Sequence, residues 1–173
     1  MKRLMLLRHA ATAWAENGID DRDRALTETG HEECIAQAAW MNSHALVPEH
    51  ALVSAAVRAR ETWDAIRDRL SPRPPHDVLE DLYLAEPGTL LAHIEALPDT
   101  ATKAAVVAHN PGIEVLARML AGPGPDADAM RAMTRGFPTA GIAVFNVNAE
   151  SWEQVTAVET RLTAFAPPTP RVT

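Results

Sequence analysis

Short apolar runs separated by longer polar and charged stretches set the pattern of this chain. Leu4-Met5-Leu6-Leu7, Ala51-Leu52-Val53-Ser54 and Ala104-Ala105-Val106-Val107-Ala108 each read as a buried strand bounded by polar residues. Val78-Leu79 makes a further short strand. Thr27-Glu28-Thr29-Gly30 opens a helix that runs through Cys34, Ala38 and Met41, with a cap-like threonine near its start. A second helix is expected from about Val57 to Leu70, closed by Ser71-Pro72, and a third over Leu90 to Leu97. Pro111-Gly112 starts a fourth, which reaches Leu120 before Gly122-Pro123-Gly124-Pro125. Gly141 to Val147 and Trp152 to Val158 look like a late hairpin joined through Asn148-Ala149-Glu150. Strands that alternate with helices predict an α/β fold. Its sheet is mostly parallel with helices on both faces, and the hairpin supplies an antiparallel edge.

At 173 residues the chain has the length of one domain, expected over residues 1–165, with 166–173 as a disordered proline-rich tail. A formal charge of −7 argues against a nucleic-acid partner, which calls for a basic face. It leaves room for a local phosphate site, because a few arginines make a positive pocket on an acidic protein. One cysteine, Cys34, fits a reducing cytoplasm and is expected as a buried structural thiol. The apolar run after Met1-Lys2-Arg3 is too short for the core of a signal peptide. No stretch approaches the roughly 20 apolar residues that span a bilayer, so no membrane partner is expected. A soluble, cytoplasmic protein is the expectation.

Two of the buried strands end in a histidine. Arg8-His9 closes the first and His109 follows Ala108. In open α/β sheets the carboxyl ends of strands are where ligands bind. An arginine fork matches phosphate oxygens, and a histidine ring nitrogen beside it can attack phosphorus. Arg58 falls in the first turn of the helix after the second strand, near the same sheet edge, whereas Arg60 reads as solvated. After His109, the proline-led helix start of Asn110-Pro111-Gly112 leaves backbone donors free for an anion. The other histidines, His31, His44, His50, His76 and His93, show no ligand-like spacing to His9, so no metal is expected.

These residues carry a family resemblance. Leu4 to Ala10, with Arg8-His9-Ala10, resembles the Arg-His-Gly element of the histidine phosphatase superfamily. Asp23-Arg24-Ala25-Leu26-Thr27-Glu28-Thr29-Gly30 looks like its D-x-x-R-x-L-T-x-x-G stretch, and Ser54 to Thr62 like its S-x-x-x-R-A-x-x-T element. Val106 to Gly112 is similar to its second-histidine element. The short chain, the R-H-A form and His-Asn-Pro-Gly resemble the SixA-type phosphohistidine phosphatase branch. The resemblance implies a phosphoglycerate mutase-like fold and a metal-free, cofactor-free phosphatase. In it, His9 accepts the phosphoryl group, Arg8 and Arg58 hold its oxygens, and His109 completes the pocket.

Arg24 and Asn110 are further expected around the bound phosphate. Thr12-Ala13-Trp14 keeps the look of the mutase pattern R-H-G-x-T-x-W-N, but Ala15 replaces its asparagine, which weakens a mutase reading. Phosphomonoesterases of the family carry an acid in the region after the third strand, where Glu80, Asp81 and Glu86 are the candidates. Trp14, Trp40 and Trp63 are expected in cores rather than on ligands. The function expected is hydrolysis of protein phosphohistidine. The alternatives are a broad small-molecule phosphomonoesterase using Glu86 or Asp81 as acid, and a phosphate-binding protein without turnover. The substrate is then a phosphorylated protein or a small phosphate.

Overall fold

The three long apolar runs become strands that bury both of their faces, whereas Val78-Leu79 falls in a half-exposed edge strand. In the computed structural model, which describes residues 1–15, 18–156 and 158–169, six strands form one sheet. They are β1 (Lys2–Arg8), β2 (His50–Ser54), β3 (His76–Leu79), β4 (Lys103–Ala108), β5 (Ile142–Val147) and β6 (Thr160–Ala166). Their order is β3-β2-β4-β1-β5-β6, with the first four parallel and β5 and β6 added antiparallel. The helices are α1 (Glu28–Ser43), α2 (Val57–Arg67), α3 (Pro87–Glu95), α4 (Gly112–Met119) and α5 (Ala127–Thr134).

Successive side chains of a strand point to opposite faces, so β1 feeds two cores. Met5 and Leu7 pack with Cys34, Ala38 and Met41 of α1 and with Ala59, Trp63 and Ile66 of α2. Leu4 and Leu6 enter the other core, with Leu90 and Ile94 of α3, Ile113 and Leu116 of α4 and Met133 of α5. Burying a side chain of this size contributes roughly 1.5–3 kcal/mol, which is why an uninterrupted Leu-Met-Leu-Leu run is stable only at the middle of a two-sided sheet.

Register then places the chemistry. Leu7 pairs with Val107 and Arg8 with Ala108 across β1 and β4, so His9 and His109 leave the sheet side by side. The His9 amide still bonds the Ala108 carbonyl at 3.1 Å. Val53 of β2 is also in register with Val107, which brings Ser54 to the same edge. Two glycines let flanking chain close on this edge. A Cβ at Gly30 would lie 2.3 Å from the Ala11 carbonyl oxygen, and one at Gly112 would lie 1.9 Å from that of Ala85. Thr27 caps α1 as expected, accepting the Gly30 N–H at 3.1 Å.

Two expectations need correction. The second strand of the late hairpin is Thr160–Ala166, not Trp152–Val158. Trp152 is instead fully buried in a short 3-10 turn, where its indole N–H donates to the Ala101 carbonyl at 2.8 Å. Helix α5 was not expected; Asp126 caps it, accepting from the amides of Asp128 and Ala129. Of the expected tail, Ala166 closes β6, and residues 170–173 lie outside the described ones.

Candidate active site

At the C-terminal edge of β1, β2 and β4 lies a cleft of about 490 Å³ lined by Arg8, His9, Arg24, Arg58, His109 and Asn110, among others. All six residues expected around a phosphate therefore meet in one place. Arg58 is 2% exposed at the first turn of α2, whereas Arg60, two residues on, faces solvent. Thr62 ties α2 to β1, accepting the Ala10 N–H at 2.9 Å while donating to the Arg58 carbonyl at 2.6 Å.

The two imidazoles stand 5.2 Å apart between ring centroids. Nδ1 of His9 lies 2.8 Å from the Ala10 carbonyl oxygen, which can only accept. The proton of neutral His9 is therefore on Nδ1, and Nε2 keeps a lone pair. His109 places Nε2 2.7 Å from the Ser54 hydroxyl. Burial pushes His9 down to about 4, helped by the charges of Arg58 and Arg8. Burial likewise pushes His109 down to about 3, with His9 and Arg58 adding to it. Both rings are neutral at pH 7.

Four polar atoms of cleft-lining residues are buried without a partner: Arg8 Nε, Arg58 Nε, His109 Nδ1 and Asn110 Oδ1. A buried donor left unpaired costs about 1–3 kcal/mol, and an anion with several oxygens is the kind of ligand that satisfies the two arginine Nε–H groups. Arg8 is held by Nη1 donating to the Phe137 carbonyl at 2.9 Å. Arg58 is held by Nη1 and Nη2 donating to the carbonyl and carboxylate of Asp21, at 2.6 and 3.1 Å.

Asp21 was not among the candidates drawn from the sequence. It lines the cleft, bonds the Tyr83 hydroxyl at 2.7 Å and pairs with Arg24 at 2.9 Å. Tyr83, Arg58 and Arg24 together hold its carboxyl below the usual range. A signal was present in the sequence: the spacing D-x-x-R, counted back from Arg24, lands on Asp21 rather than Asp23. Arg24 spends its donors on Asp21, Thr12 and the Ala13 carbonyl, so it braces the cleft wall. The Asn110 amide is engaged by Glu114 and the Phe137 carbonyl, leaving no free donor.

The expected acids lie elsewhere. Asp81 faces solvent and binds His93 at 3.2 Å, Glu80 pairs with Arg22, and Glu86 is exposed at the start of α3. None of the three lines the cleft. The 3-10 turn Glu80–Leu82 turns this segment outward, with only Leu82 buried. Trp14 departs from its expected core position too: it is 90% exposed, at the cleft mouth with Leu84. Trp63 is fully buried as expected, and Trp40 is half-buried against His44. Cys34 is buried, and burial pushes its thiol up to about 12, far from a thiolate nucleophile. Among the described residues no three His, Cys, Asp or Glu side chains gather to hold a metal, and no helix is long and apolar enough to cross a membrane.

The comparisons agree with this geometry. The family model of the histidine phosphatase superfamily (branch 1) matches residues 4–86, from β1 through Arg58 to the start of α3. An uncharacterised protein of Mycobacterium leprae is 34% identical over 165 residues, 94% of this chain and 99% of its own length. The chain belongs to the histidine phosphatase superfamily. Two solved structures are similar over nearly the whole length of this histidine phosphatase. One is of a protein assigned as phosphohistidine phosphatase SixA from Agrobacterium tumefaciens (30% identity, TM-score 0.81, 96% of this chain and 98% of that one). The other, from Nakamurella multipartitia and assigned likewise, has 25% identity and a TM-score of 0.84, covering 98% and 97%. The fold is thus phosphoglycerate mutase-like, and the enzyme is a histidine-nucleophile phosphatase of the SixA-like branch.

The neutral histidines carry a pH consequence. Unfolded, each takes a proton near its ordinary value of 6.5; folded, not until about 4 or 3. Protons thus favour the unfolded chain in this window, and stability present above pH 6.5 is lost as pH falls toward 4. Thermal melts from pH 7 to pH 4 should show a falling midpoint, with a shallower fall in His9→Gln. Equal slopes in the two proteins would assign the acid sensitivity to other groups.

Proposed function

We propose that this phosphatase hydrolyses phosphohistidine on a protein, through a phosphoryl group carried on His9. The observation that carries the reading is the state of the cleft's carboxylate. Asp21, the one carboxylate lining it among the described residues, is held ionised by Tyr83, Arg58 and Arg24. It can accept an N–H but does not protonate a departing alkoxide, a step worth typically 10²–10⁴-fold when a general acid supplies it. A phosphorylated imidazole with a proton on its other nitrogen leaves as neutral imidazole and needs no such acid. The likeness to proteins assigned as phosphohistidine phosphatases supports the same substrate class. So does the apolar rim of Trp14 and Leu84, which suits a polypeptide carrier.

In the first step His9 Nε2 attacks phosphorus as the substrate's P–N bond breaks. Arg8 and Arg58, with His109, meet the charge on the equatorial oxygens, the main demand of phosphoryl transfer. Phospho-His9 keeps its proton on Nδ1, bonded to the Ala10 carbonyl. Water then attacks phosphorus, the Nε2–P bond breaks, and the water's proton leaves with inorganic phosphate. His9 returns to its starting form.

Rates on a phosphohistidine-bearing protein and on an alkyl phosphate such as phosphoserine test the reading. The expected preference in kcat/KM is at least about 100-fold for the P–N substrate, the share a missing acid costs the P–O one. Equal rates would overturn it. Glu86→Gln is expected to leave both rates within about twofold, since surface changes away from a site do little. A loss confined to phosphoserine would instead make Glu86 the acid of a phosphomonoesterase.

A further inference from the structure

Ser54 has no part in the chemistry above, yet its hydroxyl is wholly buried 2.7 Å from Nε2 of His109. We propose that Ser54 sets the tautomer of His109, donating its O–H to Nε2 so that the ring proton sits on Nδ1 and faces the phosphoryl oxygens as a donor. The proposal rests on the reading of the cleft as a phosphoryl site.

At this buried pair every donor and acceptor has to be accounted for. Ser54 Oγ receives the Ala56 amide, at 3.4 Å, on one of its two lone pairs. Its own hydrogen has one acceptor within reach among the described residues, Nε2 of His109. If the ring instead carried its proton on Nε2, the serine hydrogen would be buried with nothing to bond. Nδ1 would then present a lone pair to the cleft. Lone pair against phosphoryl oxygen is repulsive, and the bare Arg8 and Arg58 Nε–H groups would have to offset it. With the proton on Nδ1 every group at the pair is satisfied except Nδ1–H itself, which is the buried, partnerless nitrogen on the cleft.

The surroundings hold this arrangement. His109 is 2% exposed. The Tyr83 ring meets its imidazole edge-on, with centroids 5.7 Å apart, and His9 stands on another side. The charged groups facing it are Arg58, Arg8 and Asp21, and burial with the arginines keeps the ring neutral at pH 7, so a single proton must be placed. The serine is also brought here by register rather than by a loop, since Val53 of β2 pairs with Val107 of β4. His9 solves the same problem differently, through the Ala10 carbonyl, which fixes a lone pair on its Nε2. One carbonyl and one hydroxyl thus give two neighbouring histidines opposite roles, nucleophile and donor.

Ser54 is then a positioning residue acting through His109. The test is 15N NMR of the histidine-labelled protein at pH 7, with His109 assigned from the spectrum of His109→Gln. Two-bond couplings from the ring C–H protons report which nitrogen bears hydrogen. Wild type is expected to show the proton on Nδ1, and Ser54→Ala a shift of population toward Nε2. A proton on Nε2 in the wild type overturns the proposal even if Ser54→Ala fails to fold, and so does an unchanged tautomer in a folded Ser54→Ala. Kinetically, Ser54→Ala is expected to lower kcat about 10–100-fold, by analogy with the partner that orients a metal-bound histidine through its second nitrogen. Ser54→Cys, which keeps a weak donor, should recover part of that loss. Equal losses in the two variants would make Ser54 a packing residue only. The tautomer is read without substrate, so a wrong assignment of the substrate would leave this result standing.

Discussion

His9→Ala is expected to reduce turnover of phosphohistidine and of p-nitrophenyl phosphate by about 10⁵–10⁶-fold, the scale on which losing a covalent nucleophile is felt. The expectation follows from geometry at one ring. Nδ1 is committed to the Ala10 carbonyl, and Nε2 is the nitrogen left with a lone pair in the cleft. Burial holds the imidazole near 4, so that lone pair is available throughout the neutral range. The Cys34 thiol is not placed to take over, being buried in the core beside α2 and pushed up to about 12. Rapid quench of wild type with labelled substrate should trap an acid-labile, base-stable phosphoryl group on the protein. The variant should trap none. Undiminished turnover in a folded His9→Ala would remove the covalent mechanism altogether.

Arg58→Ala is expected to cost roughly 10²–10³ in kcat, as does the loss of one transition-state donor elsewhere, while Arg60→Ala stays within about twofold. The two arginines lie two residues apart on α2 and differ in direction alone. Arg58 turns into the cleft with its Nε unpaired, and Arg60 faces solvent. Arg58 is also one of the two guanidinium groups on Asp21, so its loss leaves that carboxylate with less compensating charge inside an anion site and adds repulsion to the missing donor. Restoring charge with Arg58→Lys should recover little, because a point charge lacks the fork that bonds Asp21 and phosphoryl oxygens together. Equal, small effects for Arg58→Ala and Arg60→Ala would take Arg58 out of the mechanism.

Much of this was legible along the chain, and the reason is locality. Whether Leu4 to Leu7 is a strand, or Thr27 caps a helix, depends on neighbours within a few residues. The positions of Arg8, His9, Arg58 and His109 at strand ends and helix starts follow from those local elements. The helix periodicity of Val57 to Arg67 likewise separates Arg58 from Arg60 on physical grounds. Where local signals were weak the expectations failed. Trp152 to Val158 has apolar residues enough for a strand, but a tryptophan that can bury wholly and bond the Ala101 carbonyl is better placed in a turn, and pairing with β5 passed to Thr160–Ala166.

What the sequence by itself determined is the alternation of strands and helices, the two histidines and two arginines at one sheet edge, and the family to which they point. Tertiary structure alone decided how those groups are wired. The bonds of Asp21 to Arg58 and Tyr83 span 37 and 62 residues, and that of Ser54 to His109 spans 55. Such partners are set by sheet register and by which way a short turn faces, neither of which leaves a periodic trace. The same holds for the acids: Glu86 and Asp81 look as eligible as Asp21 in the sequence, but Asp81 lies in the exposed turn Glu80–Leu82 and Glu86 at the exposed start of α3. Trp14, too, is an ordinary core residue by composition, and its exposure at the cleft mouth comes from the path of the loop after β1. Element type is a matter of local pattern, but the state of a proton on a buried ring depends on which distant atom the fold brings within 3 Å of it.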